Sequence, residues 1–210
     1  MRFADLDAVT IDGFGTLITL ADPVPVLHRA LRERGVERDA GAVRRAFEAE
    51  VAYYRPNAAG GRDPETLAAL RLDCARVFLD AAAAEIEADS FVDAFMGAIV
   101  LEPVSGALET AVALQGRGLE LAVVSNWDIG LGDQLEQIGA AAVFTTIVTT
   151  AEAGAAKPDP AVFRLALERL GVEPARALHV GDETEDEQGA HAAGMHFACA
   201  PLSTAFEGWS

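Results

Sequence analysis

A chain of 210 residues is long enough for one α/β core and a smaller inserted domain, but too short for two full-sized domains. Its formal net charge of -17, with no compensating run of Lys or Arg, argues against a nucleic-acid partner. No uncharged apolar segment reaches the length of a membrane span, and the two cysteines, Cys74 and Cys199, lie far apart. We therefore expect a cytoplasmic protein with reduced thiols and no membrane partner.

The first predicted element is a buried strand over 8–12, because a short apolar run ends at Asp12 and is followed by Gly13 and Gly15. From Pro23 to Ile99 the apolar residues recur at helical spacing, which predicts several consecutive helices without a strand. The sequence therefore predicts a helical insertion after the first strand.

After Pro103 the pattern alternates between strands and helices. The predicted strands are 119–124, 144–148, 177–180 and 196–199, and the predicted helices are 107–114, 129–138, 159–170 and 186–193. Such alternation favours a parallel sheet with helices on both faces and right-handed crossovers. We therefore predict an α/β fold.

Polar side chains follow the predicted strands where each strand ends. Asp12 closes the first strand, Ser125 and Asn126 follow the second, Lys157 lies in the loop after the third, and Asp182 follows the fourth. Ligands of open α/β sheets bind beyond the carboxyl ends of the strands. We therefore expect these four loops to converge on one site.

These residue types together indicate phosphoryl-transfer chemistry. Asp12 is a carboxylate nucleophile, and Ser125 can donate a hydrogen bond to a phosphoryl oxygen. Lys157 supplies the positive charge that an anionic substrate needs in so acidic a chain. Asp182, facing Asp12, offers the hard oxygen ligands that Mg²⁺ prefers.

Each of these residues also has a simpler interpretation. Asp12 before glycines could be a turn residue, and Lys157 beside a helix could be a solvated surface charge. His179 lies within a predicted strand and is interpreted as a core residue without a functional role. The functional interpretation depends on the four loops occurring together.

Four segments of this chain resemble the motifs of the haloacid dehalogenase-like superfamily. In chain order they are Asp12-Gly13-Phe14-Gly15-Thr16-Leu17, similar to Asp-x-Asp-Gly-Thr-Leu, then Val123-Val124-Ser125-Asn126, Lys157-Pro158-Asp159-Pro160 and the stretch from Gly181 to Met195. The resemblance implies a Rossmann-like core at 1–20 and 100–210, with a helical cap domain at 21–99. It also implies a Mg²⁺-dependent hydrolase that forms a covalent aspartyl intermediate.

The resemblance further implies a set of site residues. The implied catalytic residues are Asp12, Ser125 and Lys157. The implied substrate-binding residues are Gly13, Ser125, Asn126 and Lys157. The metal ligands are Asp12, Asp182, Asp186 and the main-chain carbonyl of Phe14.

Phe14 is the main departure from the family pattern. The family's phosphatases carry at this position a second Asp that protonates the leaving group. Loss of a general acid lowers the rate by about 10² to 10⁴, and by less when the leaving group departs easily without a proton. We therefore expect a preference for acyl or aryl phosphates, unless another acid such as His28, Tyr53 or Tyr54 of the cap substitutes.

Three functions follow from these observations. The first is a phosphomonoesterase acting on a small phosphorylated metabolite. The second is a 2-haloacid dehalogenase, which resembles this chain in its aromatic Phe14 and in Ser125-Asn126, but whose members work without metal and lack Gly181-Asp182. The third is a binding or scaffold protein that has lost catalysis. The sequence predicts neither the substrate nor the oligomeric state.

Overall fold

The computed structural model describes residues 2–206. The chain divides into two units, of which one comprises Met1–Thr19 and Glu102–Ser210 and the other comprises Leu20–Leu101. Within the described part of the chain, no helix combines the length and the apolar character needed to cross a membrane.

The first unit is built on a five-stranded parallel sheet. The strands of the chain are β1 (Ala8–Asp12), β2 (Ile18–Leu20), β3 (Leu101–Pro103), β4 (Glu120–Ser125), β5 (Thr146–Thr149), β6 (Ala177–Gly181) and β7 (His196–Cys199). The order in the large sheet is β5-β4-β1-β6-β7, and β2 pairs with β3 in a separate two-stranded sheet. Strand β1 is thus central, with β4 and β6 as its neighbours.

Helices connect the strands of this sheet. They are α5 (Ala107–Gly116), α6 (Leu131–Gln137), α7 (Thr150–Ala153), α8 (Ala161–Leu170) and α9 (Thr184–Ala192). Every residue of β1 and β6 is buried, as parallel strands covered on both faces require. Helices α8 and α9 share one core cluster with the sheet, while α5 contacts β4 and α6 contacts β5. The predicted α/β fold is confirmed.

The second unit consists of helices α1 (Val24–Arg32), α2 (Ala40–Asn57), α3 (Pro64–Ala81) and α4 (Val92–Met96). Asp39 and Asp63 cap α2 and α3, each accepting a hydrogen bond of 2.8 Å from the main chain three residues on. Phe78 stacks on Phe91, with 5.8 Å between ring centroids, in the core of this unit. The predicted helical insertion is confirmed.

The short elements differ from the sequence prediction. Strands β2 and β3 were not predicted, because three residues are too few to show a period of two. The four-residue α7 was also missed. Helix α2 continues through Pro56 to Asn57. A proline in the last turn removes a single N–H donor and then ends the helix.

Candidate functional site

Asp12 and Ser125 lie side by side at the carboxyl edge of the sheet. Asp12 ends β1 opposite Val124, and Ser125 ends the neighbouring β4. Both side chains are buried, Asp12 being 5% exposed and Ser125 2%. A Cβ atom at Gly13 would lie only 2.6 Å from Ser125 Oγ, so a glycine is required for this close approach. The first two sequence motifs therefore meet.

Lys157 brings its ammonium group to the Asp12 carboxylate. Nζ donates to Asp12 Oδ1 and, at 2.6 Å, to Asp186 Oδ1. The Lys157 side chain is 5% exposed, so the charge is almost fully removed from water. Burial opposes the charged form, but the two carboxylates outweigh it and raise the pKa of Lys157. Lys157 is therefore a cation between two anionic side chains.

Asp182 is the exposed carboxylate of the site, directly after β6. Thr16 Oγ1 donates to Asp182 Oδ1 at 3.1 Å. Gly15 has a positive φ of 99°, and a Cβ atom there would lie 2.5 Å from Asp182 Oδ2. The loop after β1 therefore both orients Asp182 and leaves room for its carboxylate. The contact of Thr16 was not predicted from the sequence.

The carboxylates of Asp12, Asp182 and Asp186 form an acidic cluster. One oxygen of each lies within 4.8 Å of the others, a spacing that could hold a metal ion. Burial raises the pKa of Asp12 to about 7, Asp186 and Asp182 act in the same direction, and Lys157 opposes them. The local charge therefore favours binding of a cation, and hard carboxylate oxygens are the ligands that Mg²⁺ prefers.

A buried hydrogen-bond chain supports Asp186 from beneath. Thr10 Oγ1 lies 2.8 Å from His179 Nδ1, and His179 Nε2 lies 3.1 Å from Asp186 Oδ1. The main-chain N–H of Glu183 donates to Asp186 Oδ2 at 3.1 Å. Burial works to raise the pKa of Asp186, but the His179 hydrogen bond and the charge of Lys157 outweigh it and lower that pKa.

His179 is a core residue, as the sequence indicated, but it is also part of the site's support. It is 0% exposed, and burial lowers the pKa of its imidazole, which keeps the ring neutral. Its contact with Thr10 depends on strand register, since Thr10 lies opposite His179 across β1 and β6. Side chains two residues apart on a strand share a face, so Thr10 and Asp12 are on the same side.

Asn126 contacts the loop that carries Lys157. Its Oδ1 accepts from the main-chain N–H of Lys157 at 2.8 Å and from Thr150 Oγ1 at 2.7 Å, while Nδ2 donates to the Lys157 carbonyl at 3.4 Å. Asn126 therefore positions Lys157, and its predicted contact with substrate stays a prediction.

Phe14 directs its ring toward Trp127, with 6.1 Å between the ring centroids. The predicted metal contact of its main-chain carbonyl stays a prediction. Two of the proposed replacement acids have partners within the helical unit, since His28 Nε2 lies 2.8 Å from the Arg38 carbonyl and Tyr53 donates to Asp73 at 3.5 Å.

A parallel sheet with buried Asp12, Lys157 and Ser125 beside an acidic cluster defines an α/β protein of the hydrolase class. The haloacid dehalogenase-like hydrolase family matches residues 88–200, more than half of the 210-residue chain, and the chain belongs to this family.

Two curated relatives and one solved structure illustrate the range of similar proteins. Haloacid dehalogenase-like hydrolase domain-containing protein 3 of Mus musculus is 43% identical over 118 residues, which are 56% of this chain and 47% of that protein. N-acetylmuramic acid 6-phosphate phosphatase of Pseudomonas aeruginosa is 28% identical over 94% of this chain and 83% of its own. The L-2-haloacid dehalogenase of Xanthobacter autotrophicus shares the fold, with a TM-score of 0.64, 23% identity, and coverage of 96% of this chain and 82% of its own.

The first of these alignments is partial. The chain spans about half the length of the haloacid dehalogenase-like hydrolase domain-containing protein 3 of Mus musculus and of Bos taurus. The match to residues 88–200 shows the family, whereas a partial alignment does not show the activity or the substrate of the chain.

Proposed function

We propose that this chain is a Mg²⁺-dependent phosphatase that acts on a small phosphorylated metabolite through an aspartyl phosphate on Asp12. The observation that carries the proposal is the Lys157 ammonium between Asp12 and Asp186, beside an acidic cluster of carboxylate oxygens within 4.8 Å. The name of the Pseudomonas aeruginosa relative, a sugar phosphate phosphatase, supports the same class of substrate.

The proposed roles follow from the contacts of each side chain. Asp12 attacks phosphorus, because its carboxylate ends the central strand at the ligand-binding edge. Lys157 holds the Asp12 carboxylate in place and offsets the negative charge of the phosphoryl group. Ser125 donates its hydroxyl hydrogen to a phosphoryl oxygen, and Gly13 allows that hydroxyl to lie close to the loop. Asn126 fixes the Lys157 main chain and borders the substrate.

The acidic cluster fits Mg²⁺. Asp12, Asp182 and Asp186 would hold the ion, with the Phe14 carbonyl, because a carboxylate oxygen that accepts one hydrogen bond keeps a second lone pair for a metal. Asp186 also accepts a hydrogen bond from Lys157, so it links the metal site to that cation. When bound, Mg²⁺ supplies positive charge that neutralises the transferring phosphoryl group.

Phe14 limits the substrates that this site can process quickly. A phenylalanine side chain cannot donate a proton to a leaving oxygen, so the leaving group departs as an anion. We therefore expect acyl or aryl phosphates to react faster than alkyl phosphates. The helical cap at 21–99, inserted into a core at 1–20 and 100–210, is proposed to select the substrate.

The test measures release of inorganic phosphate from an aryl phosphate with and without Mg²⁺. We expect release to depend on Mg²⁺ and to fall about a thousandfold or more in Asp12→Asn, because an amide is a far poorer nucleophile. Asp133→Asn, an exposed acid on α6, is the matched control and should retain activity. Phosphate release by folded Asp12→Asn at the wild-type rate would reject the proposal.

A second candidate is a 2-haloacid dehalogenase. The aromatic Phe14 favours it, because displacement of a halide requires no proton donor at this position. The presence of Asp182 speaks for the phosphatase, because displacement of a halide without metal does not require a second carboxylate that could bind Mg²⁺. Metal-independent release of halide from a 2-haloacid, together with absence of phosphate release, would favour the dehalogenase. Neither activity in the folded protein would favour a binding or scaffold role.

A further inference from the structure

Phe14 exposes part of its aromatic ring in the loop that follows Asp12. Among residues 2–206, the exposed large apolar side chains are Phe14, Val100 and Val112, and Phe14 is 40% exposed. Its position is two residues beyond Asp12, in the loop that follows the central strand. An aromatic ring that served only the core would be buried, since burial is what stabilises it.

Trp127 lies in the loop that follows the neighbouring strand β4. It follows Ser125 by two residues, as Phe14 follows Asp12. Its main-chain N–H donates to the Ser125 carbonyl at 2.9 Å. Because β1 and β4 are adjacent and parallel, both rings lie at the edge where the polar site residues are gathered. The ring centroids are 6.1 Å apart and the ring planes are inclined by 32°.

This separation is typical of two aromatic rings in contact. We call Phe14 and Trp127 the aromatic pair. Aromatic side chains bind other aromatic rings through offset or edge-to-face contacts, which a saturated group of the same size cannot make. The aromatic pair therefore favours a planar ring in the group that extends away from Asp12.

The absence of a proton donor at position 14 points to the same chemistry. An aryl ester releases a phenolate, whose negative charge is spread over the ring, so it leaves without receiving a proton in the same step. An aliphatic acyl phosphate also has a good leaving group, but it offers no ring to the aromatic pair. An aromatic leaving group satisfies both the missing acid and the aromatic pair, of which Phe14 is exposed and Trp127 is half-buried.

We propose that the aromatic pair is the leaving-group subsite of this enzyme and that its substrates are phosphate esters of planar aromatic alcohols. This inference rests on the proposed phosphatase function. An Asp12 oxygen attacks phosphorus, the bond from phosphorus to the aryl oxygen breaks, and the phenolate leaves with the electron pair. Water then attacks the aspartyl phosphate, releasing phosphate and a proton and restoring the carboxylate. The phenolate takes up a proton from solvent.

Binding of two inert phosphonates tests the subsite without requiring turnover. Phenylphosphonate and cyclohexylphosphonate carry rings of six carbons, and only the first is aromatic and planar. Calorimetric titration of the wild-type chain in Mg²⁺ should give a Kd for phenylphosphonate about 2- to 13-fold lower than for cyclohexylphosphonate. In Phe14→Leu and in Trp127→Leu this ratio should fall close to one.

Phe3→Leu is the matched control. Phe3 also belongs to an aromatic contact, stacking on Phe206 with 5.3 Å between centroids, but it lies before β1, at the opposite end of the sheet. Its loss should leave the ratio of the two Kd values unchanged. A wild-type ratio of one, or an equal fall of the ratio in Phe3→Leu, would overturn the inference. Preserved aryl selectivity in both Phe14→Leu and Trp127→Leu would also overturn it.

Turnover separates this inference from the proposed function. Phosphate release is measured for phenyl phosphate and for acetyl phosphate in the wild-type chain and in Phe14→Leu. If Phe14→Leu lowers both rates by the same factor, the result supports a phosphatase and rejects the aromatic subsite. Selective binding of phenylphosphonate with no phosphate release from any ester would support the aryl-binding subsite and reject the phosphatase.

Discussion

His179 holds the Asp186 carboxylate from beneath the sheet edge, with Nε2 3.1 Å from Oδ1. An ionised carboxylate only accepts hydrogen bonds, so Nε2 carries the imidazole proton and Nδ1 accepts from Thr10 Oγ1 at 2.8 Å. The same Asp186 oxygen accepts from Lys157, which in turn reaches Asp12. A neutral core histidine therefore helps to orient a carboxylate that binds the Lys157 ammonium.

We expect His179→Leu to lower kcat about 10- to 100-fold with little change in KM, the size of effect typical of residues that orient a ligand or its partner. The variant should also lose about 1–3 kcal/mol of stability, because a buried carboxylate loses a donor. Steady-state kinetics on the folded fraction, with Tm from circular dichroism, measure the two effects.

His179→Gln separates positioning from packing. Its amide N–H can replace the Nε2 donor, so kcat should recover toward the wild-type value even if Tm does not. Equal kcat values in the leucine and glutamine variants would show that His179 only fills the core.

Gly15 gives a second prediction, on the metal site. Alanine there would place Cβ 2.5 Å from Asp182 Oδ2 and would strain the backbone, whose φ is 99°. We expect Gly15→Ala to weaken Mg²⁺ binding about 10- to 100-fold by displacing this carboxylate. The rise of Tm with Mg²⁺ concentration reports that affinity, because an ion that binds only the folded state stabilises it.

Gly118→Ala is the control for backbone strain. Gly118 has a φ of 85°, yet a Cβ atom there meets nothing within 4 Å. Both variants should lose similar stability without metal, and only Gly15→Ala should lose the response to Mg²⁺. An unchanged Mg²⁺ response in Gly15→Ala would contradict the assignment of Asp182 as a ligand.

The fold was predictable from local pattern. The strand of 8–12 and the later alternation of strands and helices were correctly predicted, because buried parallel strands form short apolar runs bounded by turn residues. The polar residue after each run indicated the edge at which the structure gathers Asp12, Ser125, Lys157 and Asp182.

Contacts that depend on register between strands were not predictable. Thr10 reaches His179 because β1 and β6 pair with Thr10 opposite His179. The close approach of Trp127 to Phe14 depends likewise on the pairing of β1 with β4. A single sequence shows the elements but not their alignment, so these supporting residues were missed.

A third prediction concerns the missing proton donor. Phe14→Asp should raise kcat for an alkyl phosphate by about 10²-fold or more, because a carboxylic acid can protonate the departing alkoxide. The same substitution removes half of the aromatic pair and should therefore weaken binding of aryl esters. The ratio of aryl to alkyl turnover should fall for both reasons.

Phe14→Asn is the control, since it is polar and similar in size to aspartate but cannot act as an acid. Rates for an aryl and an alkyl phosphate, measured in parallel, provide the comparison. Equal gains in the aspartate and asparagine variants would mean that proton donation does not limit the wild-type rate.

The fourth prediction concerns Glu50, a carboxyl group buried in the core of the helical unit. It lies on α2, is 5% exposed, and accepts a hydrogen bond from Cys74 on α3. Burial raises its pKa from an ordinary 4.5 to about 7, and the Cys74 hydrogen bond only partly opposes this shift. Because the folded pKa is the higher one, the unfolded chain loses this proton first as the pH rises.

Ionisation of Glu50 should therefore lower the free energy of unfolding as the pH rises from about 4.5 to about 7, by about 3 kcal/mol at most. Above pH 7 this group should cause no further change. Glu50→Gln removes the ionisation while keeping an acceptor for Cys74, so it should match the wild-type stability near pH 4.5 and exceed it at pH 8. Urea denaturation at both pH values measures the difference, with the exposed Glu48→Gln on the same helix as control. A Glu50→Gln effect of the same size at both pH values would show that Glu50 ionises normally in the folded protein.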